Sequence, residues 1–264
     1  MATIGVGDAS LYYREVGSGS PLLLIHGSGG HADLFEKAVP TLAERHRVIV
    51  YDRRGHSRSG SKPAPLQGHL KSHADDAAQL LEKLGAAPAT VIGWSSGGLI
   101  ALCLALEHPE LVTRLIVCEP PLHASKHVPA ASIWPFIKTQ FLAAIGRKRE
   151  AMATVFRMLL AEPNGSNGYD KLDDATREGL LVNAETLLHE LKSGTGEELT
   201  TERIRELRCP ITAILGCATA APFVQATERL FAMLPQMQIG RIPGAGHVSV
   251  LTHPVDFART ALGT

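Results

Sequence analysis

Short apolar runs alternate with longer amphipathic stretches along the first 120 residues of the chain. The apolar runs have the length and composition of strands, and we predict strands at residues 11–16, 21–25, 47–51, 90–93 and 115–118. The amphipathic stretches repeat at helical spacing, and we predict helices at residues 70–84 and 96–107. This alternation predicts a parallel sheet that is covered by helices on both faces.

The alternation stops after Pro121 and resumes near residue 207. The residues between carry only helical patterns, which we place at 132–145, 149–161, 171–191 and 201–207. Strands at 211–215 and 237–242 and helices at 223–234 and 254–262 follow. A helical insertion between two strands of one sheet forms a lid, because those strands still belong to the same sheet. We therefore expect a core of residues 1–121 and 207–264 and a helical cap of residues 122–206.

Composition narrows the class of protein. The chain has 264 residues, of which 45% are hydrophobic, and its 26 Lys and Arg balance its 26 Asp and Glu. This balance lacks the basic surplus that nucleic acid binding requires. No apolar window reaches the length of a membrane span, and residues 1–8 do not resemble a signal peptide. We expect neither nucleic acid nor membrane as a partner, and the oligomeric state stays open.

Cysteine usage adds an expectation about the compartment. Cys103, Cys118, Cys209 and Cys217 lie far apart in mostly apolar surroundings, without the spacing of a disulfide framework. We expect buried free thiols, which suit a reducing, cytoplasmic location.

The central candidate for chemistry is the segment Gly93-Trp94-Ser95-Ser96-Gly97-Gly98, where a predicted strand meets a predicted helix. Gly-x-Ser-x-Gly in this setting is typical of a nucleophile elbow, a sharp turn that exposes the hydroxyl of Ser95. The glycines permit the close approach of strand and helix. The alternative is a glycine-rich loop with an ordinary serine.

A serine hydroxyl needs a base to take its proton. His247 lies in Pro243-Gly-Ala-Gly-His247, between the last strand and the last helix. Loops at the carboxyl ends of parallel strands converge over one edge of a sheet, so His247 can meet Ser95. Weaker candidates, with a surface or capping role as the default, are His253, His56 and His123.

The histidine needs a carboxylate to orient it. The loop after the strand at 211–215 is the usual place for this acid, but residues 216–222 contain none. Glu119 follows the strand at 115–118, beside the strand that carries the nucleophile, and we predict that it is the acid. The alternative is a solvated strand end that leads into the cap.

The segment His26-Gly27-Ser28-Gly29-Gly30 follows the strand at 21–25. We expect the backbone N–H groups of Ser28 and Ser96 to form an oxyanion hole. A phosphate-binding loop is disfavoured, because neither glycine-rich phosphate motif continues past Gly30.

The chain resembles the α/β-hydrolase fold family, because these motifs occur in the order typical of that family. The strand at 47–51 is also followed by the segment Asp52-Arg-Arg-Gly-His-Ser-Arg-Ser59, which belongs to the same resemblance. The resemblance covers about 1–120 and 208–262, and implies a mostly parallel eight-stranded sheet flanked by helices, with an inserted cap. An acid at the position of Glu119, with a Ser-Ser pair in the elbow, is similar to the fungal zearalenone lactone hydrolases, and bacterial esterases with Glu-Pro-Pro after this strand share this position of the acid. That similarity implies cleavage of a macrocyclic ester.

We expect a carboxylic ester hydrolase, an esterase or lactonase, with Ser95, His247 and Glu119 as its catalytic triad. It would need no cofactor and no metal, and its partner would be a small apolar ester or lactone. Candidate residues for the substrate pocket are Gly27, Trp94, Pro120, Trp134, Phe136 and Met158. Two alternatives stay open: a ligand receptor with little turnover, and a C–C hydrolase or perhydrolase with the same triad.

Overall fold

The computed structural model describes residues 2–60, 62–124 and 132–264. Its strands are β1 (Ala2–Val6), β2 (Ala9–Val16), β3 (Ser20–Ile25), β4 (His46–Tyr51), β5 (Ala89–Trp94), β6 (Val112–Cys118), β7 (Ile211–Gly216) and β8 (Gln238–Ile242). They form one sheet in the order β1-β2-β4-β3-β5-β6-β7-β8. The pairs β1–β2 and β2–β4 are antiparallel and the other pairs are parallel. The predicted eight-stranded, mostly parallel sheet is confirmed, although β1 had no separate strand signal in the sequence.

The helices of the described residues divide into those of the core and those between β6 and β7. The core helices are α1 (Val39–Leu42), α2 (His69–Lys83), α3 (Ser96–Glu107), α9 (Ala221–Met233), α10 (Ser249–Thr252) and α11 (Pro254–Leu262). The helices between β6 and β7 are α4 (Ile133–Ala144), α5 (Lys148–Leu159), α6 (Asp174–Val182), α7 (Ala184–Glu190) and α8 (Thr201–Ile204). We keep the name cap segment for residues 122–206, of which 125–131 lie outside the described residues.

Strand side chains alternate between two buried clusters, because successive residues of a strand point to opposite faces. Leu23 and Ile25 of β3 join the cluster that contains α2, α3 and part of α9. Leu22 and Leu24 join the cluster that contains α1, α11 and side chains of the cap segment, among them Phe156. The sheet is therefore covered on both faces, and side chains of the cap segment belong to both clusters, Leu199 and Ile204 to the first and Phe156 to the second. The loops at the carboxyl ends of the parallel strands carry the candidate site.

The prediction of one continuous helix at 171–191 is wrong. The structure has two helices there, α6 and α7, which meet at Asn183. The side-chain amide of Asn183 donates hydrogen bonds to the carbonyl oxygens of Gly29 (3.1 Å) and Gly30 (2.8 Å). Its carbonyl oxygen accepts a hydrogen bond of 2.7 Å from the N–H of Ser57. These long-range bonds join the break to two core loops, and the helical periodicity of the sequence does not reveal them.

The four cysteines are free thiols, but only two follow the expectation of burial. Cys103 and Cys118 are buried, and burial raises the pKa of the Cys103 thiol to about 12. Cys209 is half-buried and Cys217 is exposed, contrary to the expectation. Cys217 lies in the loop after β7, whose backbone is tied to β8 while its side chain faces solvent.

Candidate active site

Ser95 occupies a sharp turn between β5 and α3. Its backbone angles, φ 55° and ψ −125°, lie in a region that residues other than glycine rarely adopt. Two hydrogen bonds of 2.8 Å hold this conformation, from the Ser95 N–H to the carbonyl of Cys118 and from the Gly98 N–H to the carbonyl of Ser95. The strained turn fixes the position of the hydroxyl at the edge of the sheet.

The two glycines that flank the serine are required by close backbone approach. A Cβ at Gly93 would lie 2.2 Å from the carbonyl oxygen of Gly97, and a Cβ at Gly97 would lie 2.2 Å from the carbonyl oxygen of Ile25. Since both neighbours are backbone atoms, they cannot move aside for a side chain. The local sequence thus forms this turn because these positions have no side chain.

His247 lies in the loop between β8 and α10, next to the hydroxyl of Ser95. Its Nε2 atom is 3.0 Å from Ser95 Oγ. The imidazole stacks on the ring of Phe223, with 3.6 Å between the ring centroids and an angle of 11° between the planes. The indole N–H of Trp94 donates a hydrogen bond of 2.9 Å to the carbonyl of His247. The stacking orients the imidazole, and the hydrogen bond fixes the backbone that carries it.

Glu119 follows β6 and lies on the other side of the imidazole. Its Oε2 atom is 2.6 Å from His247 Nδ1. The carboxylate is fully buried and accepts two further hydrogen bonds, from the N–H of Gly216 to Oε1 (2.8 Å) and from the hydroxyl of Thr219 to Oε2 (2.7 Å). Both of these donors are neutral, so the carboxylate can stabilise a positive charge on the imidazole.

The loop after β3 borders the serine. A Cβ at Gly27 would lie 3.0 Å from the Cβ of Ser95, which places Ser28 beside the elbow. The hydroxyl of Ser28 donates a hydrogen bond of 2.9 Å to the hydroxyl of Ser96. The N–H of Ser96 belongs to the first turn of α3, where N–H groups have no partner within the helix and the helix dipole is positive. The two residues whose N–H groups are predicted to form an oxyanion hole, Ser28 and Ser96, thus lie next to each other in the fold.

The predicted pocket residues fall into two groups. Gly27, Trp94 and Pro120 lie around the elbow, and Pro120 is in contact distance of Gly98. Trp134 and Phe136 belong to α4 of the cap segment, and their side chains are 71% and 57% exposed.

Met158 on α5 is half-buried, but two other side chains of the cap segment lie nearer to the loop after β3. A Cβ at Gly29 would lie 3.1 Å from Phe156 and 3.0 Å from Leu187, and both side chains are buried. Neither residue was among the predicted pocket residues, because helical periodicity shows that a helix face is apolar but does not show which surface that face covers.

A second buried polar cluster lies behind this loop, and we call it the Arg53 cluster. It consists of His26, Arg53, His56, His69, His73 and Glu190. The guanidinium of Arg53 donates hydrogen bonds to both carboxylate oxygens of Glu190, at 2.8 and 3.3 Å, and to the carbonyl of Gly27 at 3.1 Å. The cluster thereby joins α7 of the cap segment to the residue that precedes Ser28.

The charges in this cluster are balanced by one ion pair. Burial by itself raises the pKa of Glu190, but Arg53 and the nearby imidazoles outweigh burial and hold that pKa well below its usual value. Burial, and next the charge of Arg53, hold the pKa values of His26 and His73 well below 6.5. Near pH 7 the cluster therefore holds the ion pair of Arg53 and Glu190, and the imidazoles of His26 and His73 are neutral.

Three members of this cluster have the spacing of metal ligands, which the sequence analysis missed. Ligand atoms of His69, His73 and Glu190 lie within 4.8 Å of one another. The guanidinium of Arg53 already lies 2.8 Å from Glu190 and 3.2 Å from His73, where a bound cation would have to be. The donor set as arranged here thus binds a guanidinium. The spacing of two histidines on α2 was visible in the sequence, but the partner on α7 was not.

No helix within residues 2–60, 62–124 and 132–264 has the length and hydropathy of a membrane span.

Comparisons with known proteins agree with this architecture. The sequence model of the family described as "alpha/beta hydrolase fold" matches residues 20–158. The "Uncharacterized hydrolase YraK" of Bacillus subtilis is 45% identical over 121 residues, which cover 46% of this chain and 44% of that protein. The chain thus matches less than half the length of this relative. The "Pimeloyl-(acyl-carrier protein) methyl ester esterase" of Chromobacterium violaceum is 27% identical over 256 residues, which cover 95% of this chain and 96% of that protein.

Among solved structures, an N-acyl homoserine lactone degrading enzyme matches with a TM-score of 0.81 and 20% identity, over 99% of both chains. At this level of identity the similarity establishes the fold alone. The sequence relatives are hydrolases and esterases, which supports hydrolase activity. Because the family model matches more than half of the residues and the sheet and elbow have the order that the family requires, the chain belongs to the α/β hydrolase fold family.

Proposed function

We propose that the protein is a cofactor-free serine hydrolase that cleaves an apolar carboxylic ester or lactone. The observation that carries the proposal is the continuous line of contacts from Ser95 through His247 to Glu119. The two distances, 3.0 Å from Ser95 Oγ to Nε2 and 2.6 Å from Nδ1 to Glu119 Oε2, are those of hydrogen bonds. This arrangement fits nucleophilic catalysis with general base assistance.

In the first half of the reaction, Ser95 Oγ attacks the carbonyl carbon of the substrate while His247 Nε2 takes the hydroxyl proton. The carbonyl oxygen becomes an oxyanion, which accepts hydrogen bonds from the N–H groups of Ser28 and Ser96. Each donor aimed at a developing oxyanion contributes about 2.7–4 kcal/mol to catalysis. The intermediate then collapses, and the bond to the leaving oxygen breaks as the His247 imidazolium returns its proton to that oxygen.

In the second half, a water molecule attacks the acyl-enzyme while His247 takes its proton. The bond between Ser95 Oγ and the acyl carbon breaks, the serine recovers its proton, and the carboxylic acid leaves. Glu119 stays ionised throughout and stabilises the imidazolium in both halves. A lactone gives the same chemistry with alcohol and acid in one product molecule.

The surroundings of the serine favour an apolar substrate. Phe156 and Leu187 of the cap segment lie over the loop after β3, and Trp94 and Phe223 lie beside the imidazole. One solved structure with the same fold is an N-acyl homoserine lactone degrading enzyme, and lactones therefore belong among the substrates to be tested. The placement of the acid after β6, as in zearalenone lactone hydrolases, favours a macrocyclic lactone within that class.

The test compares wild type with Ser95→Ala on p-nitrophenyl butyrate and on a series of lactones. We expect wild type to release product with a burst equal to one acyl group per protein, and Ser95→Ala to lose activity by about 10⁴-fold or more. Mass spectrometry after treatment with a fluorophosphonate should find one adduct, on Ser95. Product release that is unchanged in Ser95→Ala would overturn the proposal, and ligand binding without release would identify a receptor. With hydrogen peroxide present, a peracid product would identify a perhydrolase.

A further inference from the structure

The loop between β7 and α9 contributes hydrogen-bond donors at the place where an acid was expected. Residues 216–222 contain no carboxylate, but two groups of this loop contact Glu119, which extends to it from the end of β6. One is the backbone N–H of Gly216 and the other is the hydroxyl of Thr219. The hydroxyl is the contact that a substitution can remove.

Thr219 and His247 share one oxygen atom of the carboxylate. The hydroxyl of Thr219 is 2.7 Å from Glu119 Oε2, and His247 Nδ1 is 2.6 Å from the same atom. Thr219 is buried, so water does not replace its hydroxyl at this oxygen. A donor that binds a carboxylate oxygen withdraws charge from it and restricts its rotation. Both effects reach the imidazole through Oε2.

The backbone around Thr219 is tied to the loop that carries the histidine. The N–H of Ala218 donates a hydrogen bond of 2.8 Å to the carbonyl of Ala245, and the N–H of Thr219 closes a turn on the carbonyl of Gly216 at 3.3 Å. A Cβ at Gly216 would lie 2.3 Å from the same carbonyl of Ala245. The hydroxyl of Thr219 is therefore held at a fixed place relative to His247.

We propose that Thr219 is a positioning residue, which orients Glu119 toward His247 and limits how strongly the carboxylate raises the proton affinity of the imidazole. The proposal rests on the triad of the proposed function. Without the hydroxyl, Glu119 Oε2 carries more charge toward Nδ1, and the carboxylate is free to rotate. The first change makes His247 easier to protonate, and the second lowers the rate of proton transfer.

Few other titratable groups face His247 in the described residues. The thiol of Cys118 precedes Glu119, and burial, with the charge of Glu119, holds its pKa well above the usual value. Glu162 lies beside Gly246 and is paired with Lys171. None of these groups contacts Thr219 in the hydrogen bonds of the structure, so a changed pH profile in a Thr219 variant reports on Glu119 and His247.

The experiment compares Thr219→Val, Thr219→Ser and Thr227→Val with wild type on a p-nitrophenyl ester from pH 5 to pH 9. Thr227 is a matched control, because it lies buried on α9 and its hydroxyl has no hydrogen-bond partner among the described residues. We expect Thr219→Val to lower kcat by about 10- to 100-fold, the loss typical of a misplaced catalytic group. The acid limb of its kcat/KM profile should move to higher pH, while Thr219→Ser and Thr227→Val retain the wild-type profile.

A second readout separates this proposal from the proposed function. Proton NMR of the His247 ring, assigned by comparison with His247→Gln, measures the pKa of the imidazole whether or not an ester is hydrolysed. A higher pKa in Thr219→Val supports the positioning role even if Ser95→Ala proves the esterase assignment wrong. Unchanged kcat, pH profile and imidazole pKa in folded Thr219→Val would overturn it. Thr219→Ala gives the same comparison if the valine variant does not fold.

Discussion

In the part of the chain that the structure describes, two buried glutamates, Glu119 and Glu190, contact imidazoles, and their surroundings differ in charge. Glu119 contacts one imidazole, of His247, and two neutral donors. Glu190 is paired with the guanidinium of Arg53 at 2.8 Å. Three further imidazoles lie 3.5–3.6 Å from the same oxygen of Glu190, those of His56, His69 and His73. The more crowded of the two clusters is the one without a nucleophile.

A buried carboxylate beside a histidine supports proton transfer only if its charge is not already balanced. Arg53 balances Glu190, and burial together with Arg53 lowers the pKa of His73 well below its usual value. A proton on that imidazole would be the second positive charge for one negative charge. At Glu119 no cation is within ion-pair distance in the described residues except a protonated His247. A proton that His247 takes from Ser95 therefore forms the missing ion pair.

Neutralising Glu119 is the largest change that this comparison predicts. We expect Glu119→Gln to lower kcat by about 10³- to 10⁴-fold, because an amide neither balances the imidazolium nor fixes the tautomer that leaves Nε2 free to accept the proton of Ser95. The midpoint of thermal unfolding and the kcat on a p-nitrophenyl ester are measured on the same preparation.

Glu162→Gln is the control, since Glu162 is also buried near the histidine loop but contacts Lys171 and not the imidazole. Its kcat should stay within a few-fold of wild type. If folded Glu119→Gln kept wild-type kcat, the carboxylate would not act on His247 and the contrast between the two clusters would fail.

Neutralising Glu190 should affect stability instead. Glu190→Gln leaves the guanidinium of Arg53 buried without its counter-ion, and breaking a buried ion pair in this way typically costs about 3–5 kcal/mol. We expect that loss in the free energy of unfolding measured with urea, together with a kcat reduced far less than in Glu119→Gln.

Glu178→Gln is the matched control, because it breaks an ion pair on the surface of the protein. Its partner is Arg149, both side chains are more than half exposed, and such pairs contribute about 0–1 kcal/mol. A Glu190→Gln variant no less stable than Glu178→Gln would contradict the assignment of the Arg53 cluster to stability.

The difference between the clusters also explains what the sequence could predict. Ser95 has a local signal, since a turn this tight requires glycine at 93 and 97. His247 and Glu119 were found by their places after strands, because parallel strands bring those loops to one edge. The parallel part of the sheet followed from the alternation of strand and helix patterns, whereas the number of eight strands came from the resemblance to the family. Each of these predictions used a rule that relates a position in the chain to a position in the fold.

No such rule joins Arg53 to Glu190. The two residues come from the core and from a helix of the cap segment, and their pairing depends on how that helix packs. The break at Asn183 depends on the same packing, since its side chain bonds to Gly29 and Gly30. The sequence also did not predict that Trp134 and Phe136 on α4 are exposed, because the spacing of apolar residues does not show which face of a helix is covered. Contacts between cap and core were thus the part that the sequence left open.

The smallest predicted effect concerns pH, and it distinguishes the clusters without changing the site. Burial, and next Arg53, lower the pKa of His26 and His73 in the folded protein below the 6.5 of an unfolded chain, so the unfolded state takes up protons first. The stabilisation that each of these two histidines contributes should be complete above pH 6.5, and below that pH it should fall by about 1.4 kcal/mol per pH unit until the folded pKa is reached. His31 and His46, whose pKa values are lowered mainly by burial, add to the same slope. Glu190 adds to the loss only below pH 4.5, because its folded pKa is also lowered.

Urea unfolding at pH 8, 7, 6 and 5 measures this slope in wild type and in His73→Phe, which has a ring of similar size without a titratable nitrogen. Below pH 6.5 the free energy of unfolding of the variant should depend less steeply on pH, by about 1.4 kcal/mol per pH unit, whatever its stability at pH 8. An identical slope in both proteins would mean that His73 is already protonated in the folded state. In that case the cluster around Glu190 would hold an excess of positive charge, and charge balance would no longer separate it from the cluster around Glu119.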